Sequence, residues 1–157
     1  MTKIFYVTKE KLQDLKKEYE KLLVFEHSKI MGHEAPKVLE SEDINPEFIS
    51  YQEDMDSLRM RIEELKHIFE HHEIIKKPPK EQQVLVSVGA KVKIAINGKH
   101  DDFTIVGTLE ADPDLGRISN ESPVGSALLG HKIGDEITIH SPVETTYIIK
   151  DIKYEII

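Results

Sequence analysis

The chain has 157 residues, of which 39% are hydrophobic and 32% charged, and it carries a formal net charge of −8 at pH 7. This composition is typical of a soluble globular protein with one medium-sized domain or two small ones. The negative charge excludes a general nucleic-acid footprint, which requires a basic face. The absence of cysteine excludes disulfides, thiolate zinc sites and a cysteine nucleophile.

No segment has the character of a targeting or membrane element. Residues 1–12 lack the apolar run of a signal peptide, and no apolar run approaches membrane-spanning length. We therefore expect a cytoplasmic protein with no membrane partner.

The apolar residues of the first half recur with a helical period. They lie three or four positions apart in two stretches, as in the seam of a coiled coil. The stretches contain Leu12, Leu15, Tyr19 and Leu22, and then Tyr51, Met55, Leu58, Ile62, Leu65 and Phe69. Because a short polar connection separates them, they predict an antiparallel coiled-coil hairpin, assigned to residues 1–75.

Residues that favour helix ends are present on both arms of this hairpin. Thr8 is the expected N-cap of the first helix. Asn45 is expected to cap the second, with Pro46 at the first helical position and Glu47 near the positive end of the dipole. Gly32 and Pro36 are expected to end or kink the first helix before the connection.

The connection is acidic. Between Lys37 and Arg59 there are seven carboxylates and no basic residue. They are Glu40, Glu42, Asp43, Glu47, Glu53, Asp54 and Asp56. These charges repel one another unless water screens them or a cation binds them, so the acidic tip near residues 40–47 is either a solvated turn or a functional site.

The second half begins after a break. Two adjacent prolines in KKPPK, residues 76–80, cannot continue a helix, and we expect a linker at residues 76–83. Beyond it, VKIAI at residues 92–96 is followed by Asn97-Gly98, a strong hairpin signal.

A short helix is expected between the predicted strands of residues 84–157. Ser122 caps it, Pro123 is its first residue and Gly130 ends it. The fold class is therefore α+β: a helical hairpin followed by a small antiparallel β domain with one short helix.

One set of side chains has the spacing of a metal site. His67, Glu70 and His71 lie on one helical face, but no third histidine or acid is expected nearby and the HExxH pattern is absent. We interpret them as exposed side chains. No G-x-S-x-G or other nucleophile motif supports covalent catalysis.

The segment ISNESPVGSALLGHKIGDEI, residues 118–137, carries a family signature. It resembles the pattern S-x-x-S-P-[small or apolar]-x-x-A-L-[apolar]-G-x-x-x-G-D of bacterial Gre-type transcription elongation factors, also called transcript cleavage factors. NPEF, residues 45–48, is similar to the N-A-E-Y of that family's tip, and the likeness covers nearly the whole chain.

The resemblance implies a partner and a mechanism. Gre-type factors dock on bacterial RNA polymerase with a C-terminal domain similar in fold to FK506-binding proteins, and they insert the coiled coil into the secondary channel. Tip carboxylates then help to hold a second Mg²⁺ at the polymerase active site, and the polymerase cleaves the 3′ end of the backtracked nascent RNA. The resemblance implies a monomeric regulator with no enzymatic activity of its own. It assigns polymerase docking to Glu121, Ser122 and Pro123.

The tip departs from the family pattern. The family's two acids, D-x-x-E, precede N-A-E-Y directly and fall here on Ser41 and Ile44. We expect the displaced acids Glu42 and Asp43 to meet the metal, with Glu40 and Glu47 as alternates.

The departure leaves two functions open within the family. One is a cleavage factor with a rearranged tip, and the other is a regulator or inhibitor that occupies the channel without stimulating cleavage.

Two hypotheses that assign the chain to other functional classes remain. One is a prolyl isomerase or chaperone, although this half offers only Phe103, Tyr147 and Tyr154 for the aromatic pocket that such an activity requires. The other is a plain coiled-coil adaptor with no polymerase role.

Overall fold

The two stretches of the first half that carry the heptad pattern form two long helices. The computed structural model describes residues 3–32, 46–140 and 142–155. The helices are α1 (Lys9–Met31), α2 (Pro46–Glu70) and α3 (Pro123–Leu128). The strands are β1 (Phe5–Val7), β2 (His72–Ile74), β3 (Lys91–Ile96), β4 (Lys99–Val106), β5 (Arg117–Ser119), β6 (Glu136–Ile139) and β7 (Thr145–Lys153). Short 3₁₀ turns occupy Lys80–Gln82, Thr108–Glu110 and Pro113–Leu115.

The contacts divide the chain into two units. Glu10–His71 forms one, and Met1–Lys9 groups with His72–Ile157 in the other. This grouping differs from the predicted boundary at residue 75, because β1 and β2 pair in parallel and Ile75 N–H donates to Val7 O at 2.9 Å. Three-residue strands are too short to show a pattern in the sequence.

The two long helices pack antiparallel, as predicted. Tyr19 of α1 meets Phe69 near the end of α2 in an edge-to-face contact, with ring centroids 5.4 Å apart. Further along α1, Glu26 pairs with Arg59, which is earlier in α2. A buried cluster lies between the helices and contains Met55, Leu58 and Ile62, with Tyr19, Leu22 and Tyr51 packed against it.

One position of the predicted seam shifts. Ile68 is 1% exposed, whereas Phe69 is only half-buried. The buried stripe of α2 therefore continues from Leu65 by a step of three instead of four, as the 3.6-residue period of a straight helix allows.

The first residue of α2 and the last residue of α1 bear on the predicted helix ends. Pro46 is the first residue of α2, as predicted. Helix α1 ends at Met31, directly before Gly32, which is one of the two residues predicted to end it, and Gly32 N–H donates to Ser28 O at 2.8 Å. Asn45 and Pro36 lie outside the described residues.

The second unit contains a five-stranded sheet in the order β5-β4-β3-β7-β6. Its core is formed by alternate residues of the strands and by Leu128 of α3. The fully buried members are Ala90, Val92, Ile94, Ile105, Leu128 and Ile149. The α+β class is thus confirmed, with α3 packed on the sheet.

The sheet is mixed and not wholly antiparallel. The pairs β3–β4, β3–β7 and β6–β7 are antiparallel, but β5 pairs in parallel with β4 through Ile105 and Ile118. Two 3₁₀ turns between β4 and β5 return the chain to the same end of the sheet, which gives the parallel direction.

The predicted two-residue hairpin between β3 and β4 is confirmed. Asn97 and Gly98 have φ values of 51° and 82°, so both adopt the left-handed conformation of a type I′ turn. No helix among residues 3–32, 46–140 and 142–155 has an apolar stretch long enough to cross a membrane.

Candidate docking site

The segment that joins β5 to α3 is held by a short network of hydroxyl groups. Ser122 Oγ donates to Ser119 O at 2.6 Å and accepts from Gly125 N–H at 3.0 Å. The latter bond is an N-cap, since it satisfies one of the amide groups that α3 leaves free in its first turn. The predicted start of this helix at Ser122 and Pro123 is confirmed.

Gly125 is required by close packing. A Cβ atom on this residue would lie 2.0 Å from Ser119 O and 2.9 Å from Ser122 Oγ. Any larger residue would separate α3 from the end of β5.

Glu121 is fixed by a closed ring of hydrogen bonds. Thr108 Oγ1 donates to Glu121 Oε2 at 2.9 Å, and Glu121 N–H donates to Ser119 Oγ at 3.1 Å. The hydroxyls of Thr108 and Ser119 are 2.8 Å apart. Because the single hydroxyl proton of Thr108 goes to the carboxylate, Ser119 is the donor in this bond.

A lysine from the start of the chain completes this arrangement. Lys3 Nζ lies 3.3 Å from Glu121 Oε2 and 4.9 Å from the centroid of the Phe5 ring. The sequence placed Glu121, Ser122 and Pro123 together because they are adjacent. It gave no sign of Thr108 or Lys3, which belong to no motif.

The start of the chain is held against the turn Thr108–Glu110. The backbone N–H and hydroxyl of Thr8 both donate to the Glu110 carboxylate, at 2.8 and 2.7 Å. Gly107 allows β1 to approach, since a Cβ atom there would lie 1.8 Å from Tyr6 O. Thr8 directly precedes α1, at the predicted N-cap position.

The remainder of the C-terminal signature builds the turn into β6. Gly130 and Gly134 have φ values of 82° and 94°, which favour glycine. Asp135 Oδ2 accepts from Lys132 N–H at 3.0 Å and lies 3.0 Å from His131 Nδ1. The backbone hydrogen bond from Lys132 and the His131 side chain lower the pKa of Asp135 below its usual value.

The predicted metal-binding acids of the tip lie mostly outside the described residues. This applies to Glu40, Glu42 and Asp43, and also to Ser41 and Ile44, so their assignment stays a prediction. Glu47 is in the first turn of α2 and is exposed.

His67 lies in the last turn of α2, and His71 directly follows the helix. The His67 and His71 rings lie 4.5 Å apart, and His71 Nδ1 is 2.9 Å from His67 O. Within the described ranges, no three histidine or acidic side chains converge as metal ligands would.

The three aromatic residues of the region 84–157 are used in the core of the second unit. Phe103 and Tyr147 pack against the buried cluster, and Tyr154 is 7% exposed. The Tyr154 hydroxyl donates to Leu85 O and accepts from Ser87 N–H at 3.0 Å. These three side chains are therefore occupied in packing, and a prolyl isomerase pocket built from them is not supported.

The sequence matches known proteins over most of its length. The family model described as "Transcription elongation factor, GreA/GreB, C-term" matches residues 81–154. The transcription elongation factor GreA of Thermomicrobium roseum is 38% identical over 138 residues, covering 87% of this chain and 88% of the relative. That of Bacillus cereus is 34% identical over 145 residues, with coverages of 89% and 90%.

A solved structure of GreA factor homolog 1 from Thermus thermophilus aligns over 96% of this chain and 99% of its own length. Its TM-score of 0.42 and identity of 19% are too low to bear on function. The relatives at 38% and 34% identity decide the family. This chain belongs to the GreA/GreB family of transcription elongation factors, which are regulators and not enzymes.

Proposed function

We propose that this chain docks on bacterial RNA polymerase through Glu121, Ser122 and Pro123 and acts on backtracked or arrested elongation complexes. The observation that carries the proposal is the 38% identity to a transcription elongation factor over 87% of the chain. The ordered start of α3 supports it, because Glu121 and Pro123 are exposed on a segment that hydrogen bonds hold in one conformation.

The hairpin is the part of the molecule that enters the polymerase. Helices α1 and α2 pack along one buried seam, and the segment that joins them contains Glu40, Glu42 and Asp43. We propose that the hairpin inserts into the secondary channel and brings this acidic tip to the polymerase active site. The factor acts as a monomer in the cytoplasm.

The tip acids promote cleavage of the RNA 3′ end. Glu42 and Asp43 are the proposed ligands of a Mg²⁺ ion shared with the polymerase, with Glu40 and Glu47 as alternates. Carboxylates suit this ion because Mg²⁺ is hard and takes one or two acidic ligands while it keeps several waters. When bound, such an ion supplies one half of a two-metal phosphodiester hydrolysis.

A second function has its own observation. Ser41 and Ile44 occupy the positions where the family has acids, and neither side chain is a good ligand for Mg²⁺. On this alternative the chain occupies the secondary channel and regulates or inhibits the polymerase without stimulating cleavage.

Transcript cleavage on a backtracked complex tests both functions. The full chain is incubated with a backtracked bacterial elongation complex and Mg²⁺, and labelled RNA is followed on a gel. We expect short 3′ fragments, and we expect the double variant Glu42→Ala/Asp43→Ala to abolish them. The matched control is Glu53→Ala/Asp54→Ala, which removes two exposed acids from α2.

The other outcomes separate the alternatives. No fragments, together with competition against an active cleavage factor, would establish the channel-binding regulator. If the chain neither stimulates cleavage nor competes with an active cleavage factor, the polymerase proposal as a whole is contradicted.

A further inference from the structure

Among the residues that the structure describes, the side-chain contacts to the Glu121 carboxylate all reach one oxygen, Oε2. The Thr108 hydroxyl and the Lys3 ammonium both contact Oε2, at 2.9 and 3.3 Å. A carboxylate accepts hydrogen bonds through both oxygens. The contacts to Oε2 therefore fix the direction of the group and leave Oε1 as the acceptor for a donor outside the unit.

The groups that fix Glu121 are themselves fixed. Thr108 begins a 3₁₀ turn at whose end Glu110 accepts two hydrogen bonds from Thr8, and Gly107 packs directly against Tyr6. Lys3 is placed by the Phe5 ring. A glutamate on a free loop would lose side-chain entropy on binding, and this arrangement removes part of that cost in advance.

We infer that Thr108 and Lys3 are positioning residues that present Oε1 of Glu121 to a cationic side chain, an arginine or lysine, on the polymerase surface. This inference rests on the proposed docking function and names the chemistry of the contact. The side chain of Glu121 is 43% exposed, so a guanidinium or ammonium group can reach it.

The two positioning residues differ in charge. Thr108 is neutral, so its hydrogen bond orients the carboxylate without weakening its attraction for a second cation. Lys3 orients the same oxygen but also offsets part of its negative charge. We therefore expect loss of the Thr108 hydroxyl to weaken docking more than loss of the Lys3 charge.

The test is the dissociation constant of the full chain for core RNA polymerase, measured by fluorescence anisotropy. Thr108→Val is expected to raise the dissociation constant about two- to fivefold, since the hydrogen bond between Thr108 and Glu121 is exposed. Lys3→Met is expected to raise it by a smaller factor. Thr108→Ser keeps the hydroxyl and is expected to bind as the wild type.

Two controls match the chemistry of these changes elsewhere in the unit. Thr138→Val removes an exposed hydroxyl pair with Thr146, 3.2 Å apart. Lys91→Met removes an exposed ion pair with Glu155 at 3.6 Å. Both are expected to leave the dissociation constant unchanged.

A double-mutant cycle separates positioning from a general structural effect. In a Glu121→Gln background, Thr108→Val is expected to have little further effect because the charge that it orients is gone. An equal effect in both backgrounds would overturn the inference, as would tighter binding by Lys3→Met.

The failure of this inference differs from that of the proposed function. Wild-type binding that Glu121→Gln weakens but Thr108→Val and Lys3→Met leave intact would overturn the positioning role alone. Absence of wild-type binding would overturn the docking function and this inference with it.

Discussion

Arg61 of α2 holds the carboxylate of Glu18 on α1 at two points. Its Nε donates to Oε1 at 2.7 Å and its Nη2 donates to Oε2 at 3.0 Å. Paired hydrogen bonds of this kind are stronger and more directional than a single contact. The hydrogen bonds from Arg61 lower the pKa of Glu18 below 4.5, and the same pair raises the pKa of Arg61.

This ion pair makes the stability of the hairpin depend on pH. A carboxyl group whose pKa falls on folding stabilises the folded state above its unfolded pKa, near 4.5, and loses that contribution as the pH falls through the lower folded value. Glu18→Gln is expected to lower the free energy of unfolding by at most about 1 kcal/mol at pH 7, because both side chains are more than one-third exposed.

Urea unfolding followed by circular dichroism checks this prediction. The difference between wild type and Glu18→Gln is expected to shrink when the pH is lowered to about 3. Glu20→Gln, on an exposed position of the same helix, is the control. An undiminished difference at low pH would show that the ion pair is not its source.

The cap of α3 gives a second prediction. Ser122→Ala removes the bond to Gly125 N–H and is expected to destabilise the second unit by about 1 kcal/mol. Ser122→Thr keeps the hydroxyl and is expected to retain most of the stability. Thermal unfolding compares the three proteins, and equal losses in both variants would mean that the methyl group of threonine or the local packing matters more than the cap.

Gly107 gives a third prediction, on the attachment of β1. In Gly107→Ala the new Cβ would lie 1.8 Å from Tyr6 O, so strand or turn must move, at a cost of about 1–3 kcal/mol. We expect faster hydrogen exchange at Ile75 N–H, which donates to Val7 O.

Gly98→Asn is the matched glycine control. Gly98 has no atom within 4 Å of its Cβ position, and asparagine tolerates its positive φ. Unchanged exchange at Ile75 N–H in Gly107→Ala would show that the turn yields and β1 does not.

The fourth prediction restores the family spacing at the tip. Ser41→Asp/Ile44→Glu places acids three residues apart directly before Asn45. If the natural tip binds the channel without stimulating cleavage, this variant is expected to raise the rate of transcript cleavage by about tenfold or more, because residues that merely support metal ligands already change activity 10–100-fold.

The transcript cleavage assay on a backtracked complex measures that rate. Ser41→Asn/Ile44→Gln, with similar shape and no charge, is the control. A rate that stays at the wild-type level in the acidic variant would indicate that Glu42 and Asp43 already serve as the metal ligands, or that the tip does not reach the metal.

Much of the fold was predictable because its signals are local. The seam residues Met55, Leu58 and Ile62 recur at helical spacing, and they are buried. The turn at Asn97 and Gly98 needs only those two residues to adopt left-handed conformations. In the same way Ser122 and Pro123 encode the start of α3 by their own cap and ring geometry.

The features that were missed come from pairing between distant parts of the chain. Strand β1 pairs with β2, and β5 pairs in parallel with β4, through segments of three residues that carry no period of their own. Ile68 replaces Phe69 in the buried stripe of α2, a choice that depends on what packs around that turn of the helix.

The sequence by itself determined the helical hairpin, the acidic connection, the capped helix α3 and the family signature. Each of these features is specified by residues that are neighbours along the chain, because conformational propensity and apolar periodicity are local properties. Only the tertiary structure decided that Thr108 and Lys3 meet Glu121 and that Thr8 holds Glu110. Such contacts depend on how turns and strand pairing bring remote backbone together, and no local preference of the residues involved encodes them.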